Sequence, residues 1–94
     1  MDDQDLKEIE LLCEDFIKKG HQYKLMGESK IYKKLSGITN SKDFTVGLIL
    51  GGYLQGAHFY FLGKYSREMN DEESNIVLKI FAERAQDVMD SLFK

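Results

Sequence analysis

The chain contains no proline. Proline locks φ and removes a backbone donor, so it ends helices and turns corners in β proteins; its absence predicts long helices. One cysteine, Cys13, excludes an internal disulfide. Arginine occurs only at Arg67 and Arg84. That scarcity argues against the bidentate phosphate recognition on which nucleic-acid binding draws, and a net charge of −3 supplies no global field toward nucleic acid. The opening residues, Met-Asp-Asp-Gln-Asp, have neither the basic nor the apolar part of a secretory signal. Together with the lone cysteine this leads to the expectation of a reducing, cytoplasmic location.

Catalytic and metal motifs are missing too. Two histidines and one cysteine make no zinc set. Gly63-Lys64 is not a phosphate loop: that motif needs Gly where His58 stands and Ser or Thr where Tyr65 stands. Residues 51–56, Gly-Gly-Tyr-Leu-Gln-Gly, do not match a dinucleotide fingerprint. No metal, no cofactor and no catalytic set is expected.

What is present is 94 residues, 43% hydrophobic and 31% charged, the composition of one folded domain spanning 1–94 with no room for a second core. Charge is unevenly placed. Residues 1–15 carry seven acids against Lys7, and residues 16–42 carry seven lysines against Glu28. Residues 44–63 carry no charge at all.

Leu6, Ile9, Leu12, Cys13, Phe16 and Ile17 recur at three- and four-residue steps, which predicts an amphipathic helix from Asp2 onward, with acids at its positive end. Glu14–Lys18 and Asp15–Lys19 are i,i+4 pairs in the favourable order. Gly20 is a kink or end, and the helix can continue to Met26 with Gly27 as its stop. Ser29 then caps a short helix through Leu35; a hairpin pairing 21–26 with 31–36 is the weaker alternative, because its apolar alternation is poor. Asn40 and Asp43 form an imperfect capping box before the charge-free helix, which the pattern carries past Gly63 to Met69. Asn70 and Glu73 start a last helix with Val77, Ile80, Phe81, Ala85, Val88, Met89 and Leu92 on one stripe. The fold class is therefore all-α: a small bundle of three main helices plus a short one.

A helix apolar all round must be covered all round. Two amphipathic neighbours cover about half of it, so the rest of 44–63 calls for another copy of the chain or another protein, or, in a monomer, for segment 21–42. A membrane span is disfavoured by Gln55, His58 and the five glycines of the stretch. At about 100° per residue, Gly47 and Gly51 fall on one side with His58 and Leu62, and Gly52 and Gly56 lie about 140° away. Each glycine in a helix interior costs about 1 kcal/mol relative to alanine. Close helix approach would offset this, which makes Gly47, Gly51, Gly52, Gly56 and Phe59 the expected oligomer interface. Tyr53, Tyr60, Lys64 and Arg67 form a third arc expected to reach water.

The expected function is that of a non-enzymatic interaction or regulatory protein. It would act as a homodimer or larger homo-oligomer, in the manner of small inhibitors of a larger partner carried by phages and mobile elements. The alternative is a module holding a small anion such as a nucleotide between subunits, on Lys30, Tyr32, Lys33 and Lys34 of the basic segment with His58 and Arg67. Cys13, on an apolar helix face, reads as a small core residue rather than a nucleophile.

Overall fold

The computed structural model describes residues 1–28 and 41–93. Its helices are α1 (Asp3–Lys18), α2 (Gly20–Glu28), α3 (Ser41–Tyr65) and α4 (Asp71–Phe93), with no strand among the described residues. Among the described residues three long helices and one short one, α2, fit the expected count. The first strand of the hairpin alternative is excluded, because 21–26 is helical. The short helix expected over 29–35 lies outside the described residues.

Local chemistry sets the helix ends. Asp2 caps α1: its side chain accepts the Asp5 backbone N–H at 2.8 Å, and Asp5 accepts the Asp2 N–H in return at 3.4 Å. α1 breaks at Lys19, one residue before Gly20, where the Lys19 N–H still reaches Asp15 O at 3.0 Å. α2 then runs through Gly27 to Glu28 instead of stopping at the glycine. α3 ends four residues short of the expected Met69. Ser66 adopts a left-handed φ of 55°, and its N–H closes on Leu62 O at 3.0 Å. Asn70 and Glu73 form the expected capping box at 3.0 and 2.8 Å.

The core is built from every fourth residue of the long helices. α1 supplies Ile9 and Cys13, α4 supplies Val77 and Phe81, and α3 supplies Ile49, Tyr53, Ala57 and Phe61. Leu12, Phe16, Ile17, Tyr23 and Ile80 close around them. The side chains of Ala85, Val88, Met89 and Leu92 lie outside the described residues. Tyr53 corrects the expectation of a solvent-facing arc: it is fully buried, stacked on Phe81 at 5.7 Å, with its hydroxyl donating to Val77 O at 2.7 Å. A helix carbonyl has a second lone pair to offer, so the phenol reaches inward without an unmet donor. Glu14, expected to pair with Lys18, reaches Arg84 of α4 at 3.1 Å, while Lys19 does pair with Asp15 at 2.9 Å.

Candidate functional site

α3 has two unequal sides. Thr45, Ile49, Tyr53, Ala57 and Phe61 are buried. On the opposite side Gly47, Gly51, Gln55, Phe59 and Leu62 are exposed, with Phe44, Leu48 and His58 half-buried among them. Phe59 is 59% exposed and Leu62 41%. Scattered apolar residues at a surface are ordinary; two large ones on a strip without a single charge are not.

The glycines divide between the two sides. A Cβ at Gly52 would lie 2.6 Å from a Phe16 ring carbon and 3.2 Å from the Tyr23 hydroxyl, and one at Gly56 3.0 Å from a Leu12 methyl. These two glycines let α1 and α2 approach α3 within the chain, so their close contacts are intramolecular. Gly47 and Gly51 have nothing within 4 Å of a Cβ position. Beside Gly56 a groove of about 250 Å³ opens between α1 and α3, lined by Glu8, Ile9, Leu11, Leu12, Gly56 and Tyr60. Leu11, 51% exposed, stands on its rim.

A polar cluster locks the start of α1 to the end of α3. Asp5, 1% exposed, accepts hydrogen bonds from Lys64 Nζ at 2.7 Å, Tyr60 OH at 2.8 Å and the Tyr65 hydroxyl. Burial alone would push its carboxyl up, but the bonds from Lys64, Tyr65, Tyr60 and the Asp2 backbone together hold it well below the usual carboxylate range. The same hydrogen bond to Asp5 holds Lys64 well above its ordinary value. Asp5 stays ionised and Lys64 protonated near neutral pH, so the pair is a strut rather than a proton-transfer couple. Spacing hinted at this cluster, since Asp2 and Asp5 stand at capping-box distance, but its partners come from 55 to 60 residues away.

Of the residues expected to bind an anion, only His58 and Arg67 are described. Lys30, Tyr32, Lys33 and Lys34 lie outside the described residues. Arg67 grips Glu73 through two bonds, 2.7 and 2.9 Å, donates to Glu68 O at 2.9 Å and lies over the Tyr65 ring at 5.1 Å. His58 tilts against Phe59 at 5.8 Å, and its sequence neighbour Gln55 is exposed, so the two share an open face rather than an enclosed pocket. Cys13 is 1% exposed, and burial pushes its thiol up, as a core residue requires. Among the described residues no His, Cys, Asp and Glu group is placed to hold a metal ion, and no helix is long and apolar enough to cross a membrane.

Comparison of the chain with known protein families, with characterised proteins and with solved structures found no match.

Proposed function

We propose that this chain is a non-enzymatic protein that works through protein–protein contact and assembles with copies of itself through the open side of α3. The observation that carries this reading is the exposed strip Gly47, Gly51, Gln55, Phe59 and Leu62 on a helix without charge from 44 to 63. Phe59 alone leaves on the order of 100 Å² of apolar surface in water, and covering that area is worth about 2.5 kcal/mol per copy. The two open glycines add a shallow surface on which a second backbone can come close. Gly52, Gly56 and the groove beside them serve the packing of α1 on α3 and so frame the strip. A regulatory role toward a larger partner is consistent with a chain that leaves an uncharged, partly apolar helix side in water.

Sedimentation equilibrium at tens of micromolar tests the reading. Wild type is expected to run as a dimer or larger. A Cβ at the exposed Gly51 would meet nothing within 4 Å, so Gly51→Leu is expected to keep its helical circular dichroism and run as a monomer; Phe59→Lys should do the same. A monomeric wild type at that concentration would overturn the proposal. The anion-binding alternative rests on Lys30, Tyr32, Lys33 and Lys34. A thermal-shift series with nucleotides, controlled by the Lys33→Glu/Lys34→Glu double variant, would revive it if the wild type alone were stabilised.

A further inference from the structure

We infer that the second copy binds antiparallel, about a two-fold axis level with Gln55, so that Phe59 and Leu62 of each copy enter the glycine-rich half of the other. This rests on self-assembly through α3 and goes further by specifying its register.

The argument is one of shape. Along the open strip the bulky exposed residues, Phe59 and Leu62, lie after Gln55, and the open glycines, Gly47 and Gly51, lie before it. In an antiparallel pair centred on Gln55, positions equally far before and after it come level. On a helix surface, residues i, i+3, i+4 and i+7 outline one hole for an incoming side chain. Phe59 of one copy then meets the hole outlined by Leu48, Gly51, Gly52 and Gln55 of the other. Leu62 meets the hole outlined by Phe44, Gly47, Leu48 and Gly51. Gly51 is an open corner of the first hole, and Gly47 and Gly51 are open corners of the second; Gly52, the remaining glycine of the first, already packs against Phe16. A parallel pair does the reverse. Phe59 would face Gln55, His58, Phe59 and Leu62, bulk against bulk, while glycine faced glycine across a void.

Antiparallel pairing also opposes the helix dipoles. The area is sufficient for a small dimer. Residues 44 to 62 span about 27 Å of helix. Leu12 packs on Gly56, next to Gln55, so the exposed Leu11 stands level with the axis and its copy comes alongside. With Leu11 included, the two copies bury on the order of 1,000 Å², the lower end for a specific interface. A dimer of that size dissociates on dilution.

Disulfide trapping tests the register. Gln55→Cys, Leu48→Cys and Leu62→Cys each replace a residue on the open strip, and Cys13 is buried, which makes wild type the uncrosslinked control. Under mild oxidation at a concentration where wild type sediments as a dimer, Gln55→Cys should trap a covalent dimer. Leu48→Cys mixed with Leu62→Cys should trap a heterodimer, and neither should crosslink alone. In the antiparallel register two copies of position 48 lie about 21 Å apart along the axis, far beyond disulfide reach of about 7 Å. Crosslinking of Leu48→Cys and of Leu62→Cys each with itself would establish parallel pairing and overturn the register while leaving self-assembly through α3 standing. A sedimenting dimer with no crosslink at any of the three positions would overturn the register and move the interface to another face. A monomeric wild type would overturn self-assembly itself.

Discussion

A methyl group added at Gly52 and one added at Gly63 meet different surroundings, although both glycines belong to α3. At Gly52 it would strike the Phe16 ring at 2.6 Å, and Phe16 is backed by Tyr23 at a ring separation of 6.2 Å, so the ring has little room to retreat. At Gly63 nothing lies within 4 Å. Alanine gains about 1 kcal/mol over glycine in helix propensity at either site. Overpacking costs about 1–3 kcal/mol and applies only at Gly52. Urea unfolding should therefore find Gly52→Ala destabilised by about 1 kcal/mol and Gly63→Ala stabilised by up to about 1 kcal/mol. Equal stability of the two variants would contradict the close approach of α1 and α2 to Gly52. The tyrosines make the same point. Tyr53 and Tyr60 fall on one arc of the helical wheel, yet Tyr53 is fully buried and Tyr60 half-buried beside Asp5. Their residue type does not separate them; only the neighbour across the helix does.

Between elements, two cross-helix ion pairs of the described residues differ in kind. Asp5 is buried and accepts from three side chains of α3, so it ties the first turn of α1 to the last turns of α3. Glu14 and Arg84 join α1 to α4 at 3.1 Å with side chains 43% and 32% exposed. Hydrogen bonds to a charged group are worth about 1.5–3 kcal/mol each, less where the abandoned partner can turn to water, as Lys64 and Tyr65 can. Asp5→Ala should thus cost about 2–4 kcal/mol, including the lost return bond to the Asp2 N–H. Arg84→Ala should cost under about 1 kcal/mol, the range of exposed pairs. Chemical denaturation of the two variants side by side checks the ordering. A smaller loss for Asp5→Ala than for Arg84→Ala would remove the strut.

For the whole molecule, the buried carboxylates Asp5 and Glu73 point to acid sensitivity. Two bonds from Arg67, helped by the Asn70 backbone, lower Glu73 from 4.5 to about 2. Asp5 is also held below its ordinary value of 3.8. A carboxylate with a depressed folded-state value takes up its proton more readily in the unfolded chain. As the pH falls, unfolding is then accompanied by proton uptake and stability drops. The contribution of these two groups should be complete above pH 4.5 and should be lost progressively toward pH 2. Thermal melts across pH 2 to 7 should show that fall, and Arg67→Gln should flatten part of it by removing the main cause of the Glu73 shift. A melting temperature independent of pH below 4.5 would mean that neither carboxylate is held as described.

The all-α class, the break beside Gly20, the Asn70–Glu73 cap, the inward face of α1 and its counterpart on the first turns of α4, Val77, Ile80 and Phe81, were legible in the sequence alone. Each depends on residues within a turn or two of one another, and an amphipathic helix carries its own orientation in its polar pattern. The charge-free stretch also announced a helix that two amphipathic neighbours could not cover. Its orientation was not legible. A helix apolar on every side has no polar face to say which side turns inward, so three neighbouring helices chose the buried row Thr45, Ile49, Tyr53, Ala57 and Phe61. That choice assigned Gly52 and Gly56 to contacts within the chain and left Gly47, Gly51 and Phe59 open. The early end of α3 at Tyr65 is likewise tertiary: no glycine marks it, and the left-handed Ser66 sits beside a loop where Arg67 is held by Glu73 of the next helix. Local pattern determined the helices, and long-range packing determined which side of the central one remains available.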